Sequence, residues 1–172
     1  NDTETVLKHN SIVTWFSDSV QQHSGNIALV HGDTQITYAE LDDLSNRLAA
    51  VLQSNSVTQG DRVGVFIGRS HWSVVSVLSI IKLGAVYIPI EAAYPQDRVE
   101  YILADSEARL LLTERCLIDK VERFSGAIVN LDSVGSQLQS MTASAPEVAI
   151  AGSDPVYAIY TSGSTGQPKG AL

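Results

Sequence analysis

The sequence has little of what would cross-link a chain, coat a polyanion or cross a membrane. Cys116 is its only cysteine, so no internal disulfide can form, and a reducing, cytoplasmic setting is expected. Bases are scarce: 11 Lys and Arg against 19 Asp and Glu leave a net charge of −8. That balance argues against nonspecific binding to nucleic acid or to an anionic membrane. No apolar run reaches the ~20 residues of a membrane span. The longest, Trp72 to Leu83, is interrupted by Ser73, Ser76, Ser79 and Lys82. No basic segment with an apolar core behind it opens the chain, so no secretory leader is expected. The four histidines, His9, His23, His31 and His71, lack metal-ligand spacing.

What is present is enough for one folded domain. The chain has 172 residues, 44% hydrophobic and 17% charged. Residues 1–10 are polar and read as an irregular arm. Ser11 is placed to cap a helix through about His23, with Ile12, Trp15, Phe16 and Val20 on one face. Two short runs around Gly32-Asp33 predict a β-hairpin. Thr37 with Glu40 three residues on is a capping box, and Leu41, Leu44, Leu48 and Leu52 continue a helical stripe behind it. Asp43 and Arg47, four apart, are expected to pair on the exposed side of that helix.

From residue 60 onward the pattern alternates strand and helix. Arg62–Ile67 reads as a buried strand, His71 to about Leu83 as a helix, and Ala85–Ile90 as a strand that Pro89 confines to an edge or an end. A helix follows Tyr94-Pro95, then a strand at Arg109–Thr113, a helix over 114–124 and a strand at Ala127–Leu131. Residues 133–153 are rich in Ser, Ala, Gly and Thr and read as a surface connection with a short helix near Gln137. The alternation predicts the α/β class: a mostly parallel sheet with helices on both faces.

The apolar run Val156–Tyr160 then leads into Thr161-Ser162-Gly163-Ser164-Thr165-Gly166-Gln167-Pro168-Lys169-Gly170. A Gly/Ser/Thr cluster alone is more often a solvated linker. This one follows a strand directly, where α/β proteins bind ligands, and ends in Pro-Lys-Gly. Glycines let backbone N–H groups approach an anion, hydroxyls add donors, and lysine adds a mobile charge. These are the parts of a phosphate cradle. It is not a Walker A loop, because four residues on from Gly163 the second glycine is Pro168 and Gly170 replaces the hydroxyl. Nor is it a dinucleotide G-x-G-x-x-G, or a G-x-S-x-G hydrolase elbow. Val156–Tyr160 is apolar enough to be expected at the centre of the sheet.

Tyr160 to Gly170 resembles the phosphate-loop signature of the acyl-adenylate-forming enzymes, which include acyl-CoA synthetases, luciferases and the adenylation domains of nonribosomal peptide synthetases. Ile36-Thr37-Tyr38-Ala39-Glu40-Leu41 is similar to the first core motif of the peptide-synthetase branch, and Ile81 to Pro95 is similar to the second. Glu91-Ala92 stands where that motif usually carries Asp-Pro. The three matches follow the family's order and together cover residues 36–172.

The resemblance implies the N-terminal part of an adenylate-forming fold: residues 1–172 would be a partial adenylation domain. It implies a ligase in which a carboxylate, here an amino acid, reacts with ATP to give an acyl-AMP and pyrophosphate. Mg2+ would assist, and the acyl group would pass to phosphopantetheine on a carrier domain. Thr161, Ser162, Gly163, Ser164, Thr165, Gly166 and Lys169 would hold the ATP phosphates, with no covalent role for any hydroxyl. The family's remaining ligands, including most of those for Mg2+, are expected beyond Leu172. The chain opens on Asn1 and closes two residues after the motif, so it is expected to be a fragment that is inactive alone, with no catalytic residue assignable on it. An acyl-CoA synthetase-type ligase fragment, a divergent P-loop NTPase and a non-catalytic nucleotide-binding or docking module are the alternatives.

Overall fold

Alternation within strand β3 (Arg62–Ile67) divides the molecule into two layers. Val63, Val65 and Ile67 enter one core, while Phe66 enters the other, as the two-residue period of a strand requires. Gly64 shares the second face, and a Cβ there would come within 2.9 Å of the Leu103 and Leu111 side chains. The structure, a computed structural model, describes residues 11–162 and 168–171.

Four parallel strands form the main sheet: β3, β4 (Val86–Glu91), β5 (Leu110–Thr113) and β6 (Ala127–Asn130), in the order β4-β3-β5-β6. One face packs on α2 (Tyr38–Ser54), α3 (His71–Lys82) and α5 (Leu131–Ser140), with α1 (Ile12–His23) against them. The other face packs on α4 (Gln96–Asp105) and a 3₁₀ helix, Arg115–Val121. The expected α/β class with helices on both faces is therefore observed. Each fully buried Leu, Ile or Phe in these layers, such as Leu48, Ile80, Leu110 and Phe66, contributes ~1.5–3 kcal/mol.

Local signals place the elements. Strands β1 (Ile27–His31) and β2 (Thr34–Thr37) pair antiparallel around Gly32, whose φ of 57° suits the tight turn. Thr37 Oγ1 accepts from the Glu40 N–H at 3.2 Å, and Glu40 Oε2 accepts from the Thr37 N–H at 2.8 Å, completing the capping box. Helix α4 buries Val99, Ile102 and Leu103 as expected.

Two expectations need correcting. Arg47 does bond Asp43, but on a side chain only 19% exposed, not on an open face. Its guanidinium also donates to the Leu138 and Gln139 carbonyls, at 2.6 and 3.2 Å, so it ties α2 to the end of α5. The segment over 114–124 forms the tighter 3₁₀ helix, with Leu117 and Val121 buried and the Arg115 N–H held by Asp132 Oδ2 at 2.6 Å.

Candidate functional site

The glycine-rich motif is built on a β-hairpin. Strand β7 (Ile159–Ser162) pairs antiparallel with β8 (Pro168–Ala171), with Thr161 opposite Lys169 and Tyr160 opposite Gly170. Residues directly opposite in an antiparallel pair share a face. Thr161 and Lys169 therefore stand side by side, both exposed, at the base of the turn. Ser162 lies in β7 opposite Pro168. Gly163, Ser164, Thr165 and Gly166 lie outside the described residues.

The approach to this hairpin differs from the central strand expected over Val156–Tyr160. Residues 156–158 run beside β4, at the edge of the sheet. The Tyr87 N–H donates to the Val156 carbonyl at 2.9 Å, and the Ala158 N–H donates to the Tyr87 carbonyl at 3.0 Å. The next outward donor on β4 would be residue 89, because alternate residues of a strand point their N–H groups the same way. Pro89 has none. The added pairing ends there, and the chain turns away to form β7 and β8. Alternation confirms the half-buried position: Ala158 and Tyr160 are buried, Tyr157 and Ile159 exposed.

Below the turn, the hairpin is also held by its side chains. The Tyr160 hydroxyl donates to Asp105 Oδ2 at 2.7 Å, at the end of α4. Burial, reinforced by Asp105, raises the Tyr160 phenol well above its ordinary value, so it remains a proton donor. Gly170 faces its ring: a Cβ there would approach Tyr160 Cζ to 2.9 Å. Sequence reading passed over Asp105. Its one signal was an acid at the last position of a helix, where the dipole is unfavourable to negative charge.

A pair of a hydroxyl and a lysine beside a glycine-rich turn can bind an anion by hydrogen bonds and charge. No group of three or more His, Cys, Asp or Glu side chains placed to hold a metal occurs among the described residues. No helix among them is long and apolar enough to cross a membrane.

The geometry describes an α/β sheet with a β-hairpin at its edge that sets Thr161 beside Lys169, and the comparisons define the class. The family model for "AMP-binding enzyme" matches residues 16–172, and the chain belongs to that family. A plipastatin synthase of Bacillus subtilis (strain 168) is 41% identical over 165 residues, covering 96% of this chain and 6% of that protein. The N-terminal subdomain of Klebsiella oxytoca NpsA superposes with a TM-score of 0.85 at 28% identity, covering 96% of this chain and 42% of that one. An artificially fused adenylation–PCP di-domain, NpsA-ThdA, from the same organism gives 0.86 at 28% identity, covering 98% of this chain and 33% of that one. The chain thus spans less than half the length of each of these proteins.

Proposed function

We propose that this chain is the N-terminal portion of an adenylation domain of a nonribosomal peptide synthetase. The domain would activate an amino acid with ATP to an aminoacyl-AMP, then hand it to phosphopantetheine on a carrier domain. Residues 1–172 would be a partial N-terminal subdomain, with 133–153 a connection within it, working in the cytoplasm. The observation that carries this reading is the pairing of Thr161 with Lys169 at the base of the glycine-rich turn, in a chain of the AMP-binding family.

Attack of the carboxylate on the α-phosphate expels pyrophosphate, so negative charge builds on the β- and γ-phosphates. Thr161, Ser162, Ser164 and Thr165 would hold those groups by hydrogen bonds, and Lys169 by charge, while Gly163 and Gly166 permit close approach. The contribution is positioning and electrostatic, without a covalent step. Mg2+ would take most of its ligands from beyond Leu172, and no step above runs through it. No catalytic residue is assigned on this chain.

Amino-acid-dependent pyrophosphate–ATP exchange tests the proposal. A complete adenylation domain containing this segment should catalyse exchange, and Lys169→Ala should raise its KM for ATP about tenfold or more, the scale of a charge-assisted contact. The 172-residue chain alone should show none. Exchange by the isolated chain, or an unchanged KM for ATP in Lys169→Ala, would contradict it.

A further inference from the structure

We propose that Asp105 is a positioning residue for the phosphate loop and acts through Tyr160. The inference rests on the reading of the loop as the holder of the ATP phosphates. Tyr160 immediately precedes Thr161 in β7, and its ring lies against Gly170 of β8. Its hydroxyl reaches across to α4, 55 residues away in sequence, and donates to Asp105 Oδ2 at 2.7 Å. Tyr101 donates to the other carboxylate oxygen at 3.4 Å. One carboxylate thus collects two phenols, at a helix end where an acid gains nothing from the helix itself.

The anchor sits where it matters for the loop. Besides the packing of Ala158 and Tyr160 in the second core, the described backbone tie of this segment to the sheet is the pairing at Tyr87, which stops at Pro89. Beyond that point β7 and β8 pair with each other, and the outward residues Ile159, Thr161, Lys169 and Ala171 are exposed. The Tyr160–Asp105 bond therefore fixes the angle at which the hairpin leaves the sheet, and with it the place of Thr161 and Lys169. A ligand bound by a pre-set loop loses less in ordering it. Removing the anchor should weaken ATP binding in the ground state and the transition state alike, which raises KM and leaves kcat unchanged.

The experiment is pyrophosphate–ATP exchange in a complete adenylation domain containing this segment, with ATP and amino acid varied separately. Tyr160→Phe keeps the ring and removes the hydroxyl; Asp105→Ala removes the acceptor. Each should raise the KM for ATP about tenfold, with kcat and the KM for the amino acid within about twofold of the parent. The double variant should be no worse than either single one. Asp105→Asn, which keeps an acceptor oxygen, should restore most of the loss. In the 172-residue chain, Tyr160→Phe should speed amide exchange in β7 and β8 and leave β3 and β5 unchanged. An unchanged KM for ATP in Tyr160→Phe and Asp105→Ala, while Lys169→Ala raises it, overturns the anchor and leaves the phosphate reading standing. An unchanged KM for ATP in all three overturns both. Equal rises in both KM values, with faster exchange throughout the sheet, would show a structural role only and also overturn the anchor.

Discussion

Burial gives single residues roles that their type alone does not announce. Lys82 looked like an interruption of an apolar run, yet its side chain is only 4% exposed. Its ammonium donates to Asp42 Oδ1 at 2.7 Å, Ser45 Oγ at 2.7 Å and Asn46 Oδ1 at 2.6 Å, joining α3 to α2. Desolvation lowers its pKa, and the bond to Asp42 partly opposes that. Glu40 shows the opposite case, an exposed acid whose value is set by bonding. Its carboxyl is held below the usual 4.5, first by the Thr37 backbone N–H and then by the Thr37 hydroxyl. A carboxylate with a depressed folded pKa stabilises the fold fully above its unfolded value. It loses that contribution as pH falls through the folded one. Glu40→Gln should therefore lower stability at neutral pH and flatten the acid limb below about pH 4.5, where variant and parent converge. Urea unfolding at a series of pH values would show it. An acid limb identical to that of the parent would refute the capping contribution.

Elements were legible in the sequence where their cause is local. The Thr37 box, the Gly32 turn, the alternation of β3 and the apolar face of α4 each follow from residues within a few positions of one another. Pro89 was read correctly as an edge signal, and β4 is indeed an edge strand of the sheet. What could not be read were contacts made over long separations. Arg47 reaches the carbonyls of residues 138 and 139, and Tyr160 reaches Asp105; no nearby residue announces either. The phosphate motif was recognisable, but the hairpin on which it stands was not. An apolar run reads alike for a central strand and for one lying along an edge. The consequence of Pro89 is testable at this scale. Pro89→Ala supplies the missing outward N–H, which the Ala158 carbonyl can accept. Hydrogen exchange should then find a protected amide at residue 89 and slower exchange through residues 158–160. A fast-exchanging amide at 89 would mean that another constraint turns the chain away.

At the scale of the whole molecule, one sheet serves two cores, and its two sides differ in how they end. The β4 side is extended by residues 156–158, and this margin presents Tyr157 and Ile159 outward, 51% and 45% exposed. Covering the exposed half of these two side chains on each of two copies is worth roughly 3–6 kcal/mol together. That reaches only the low end of the ~4–15 kcal/mol of motional freedom lost when two chains associate. Apolar contact alone is therefore at most marginal for pairing two copies. Strand β7 adds to it, because a strand at the margin of a sheet offers backbone groups to another chain. The 172-residue chain is thus expected to self-associate weakly, in a concentration-dependent way, through this margin. Sedimentation analysis should show the average mass rising with concentration. Ile159→Lys, which places a charge at the same exposed position without touching Ala158 or Tyr160, should return it to the monomer. A monomer at every concentration would show that backbone pairing and apolar contact together do not suffice. An unchanged rise in Ile159→Lys would place the contact elsewhere, the other candidate being the β6 margin, where Ile128 is exposed.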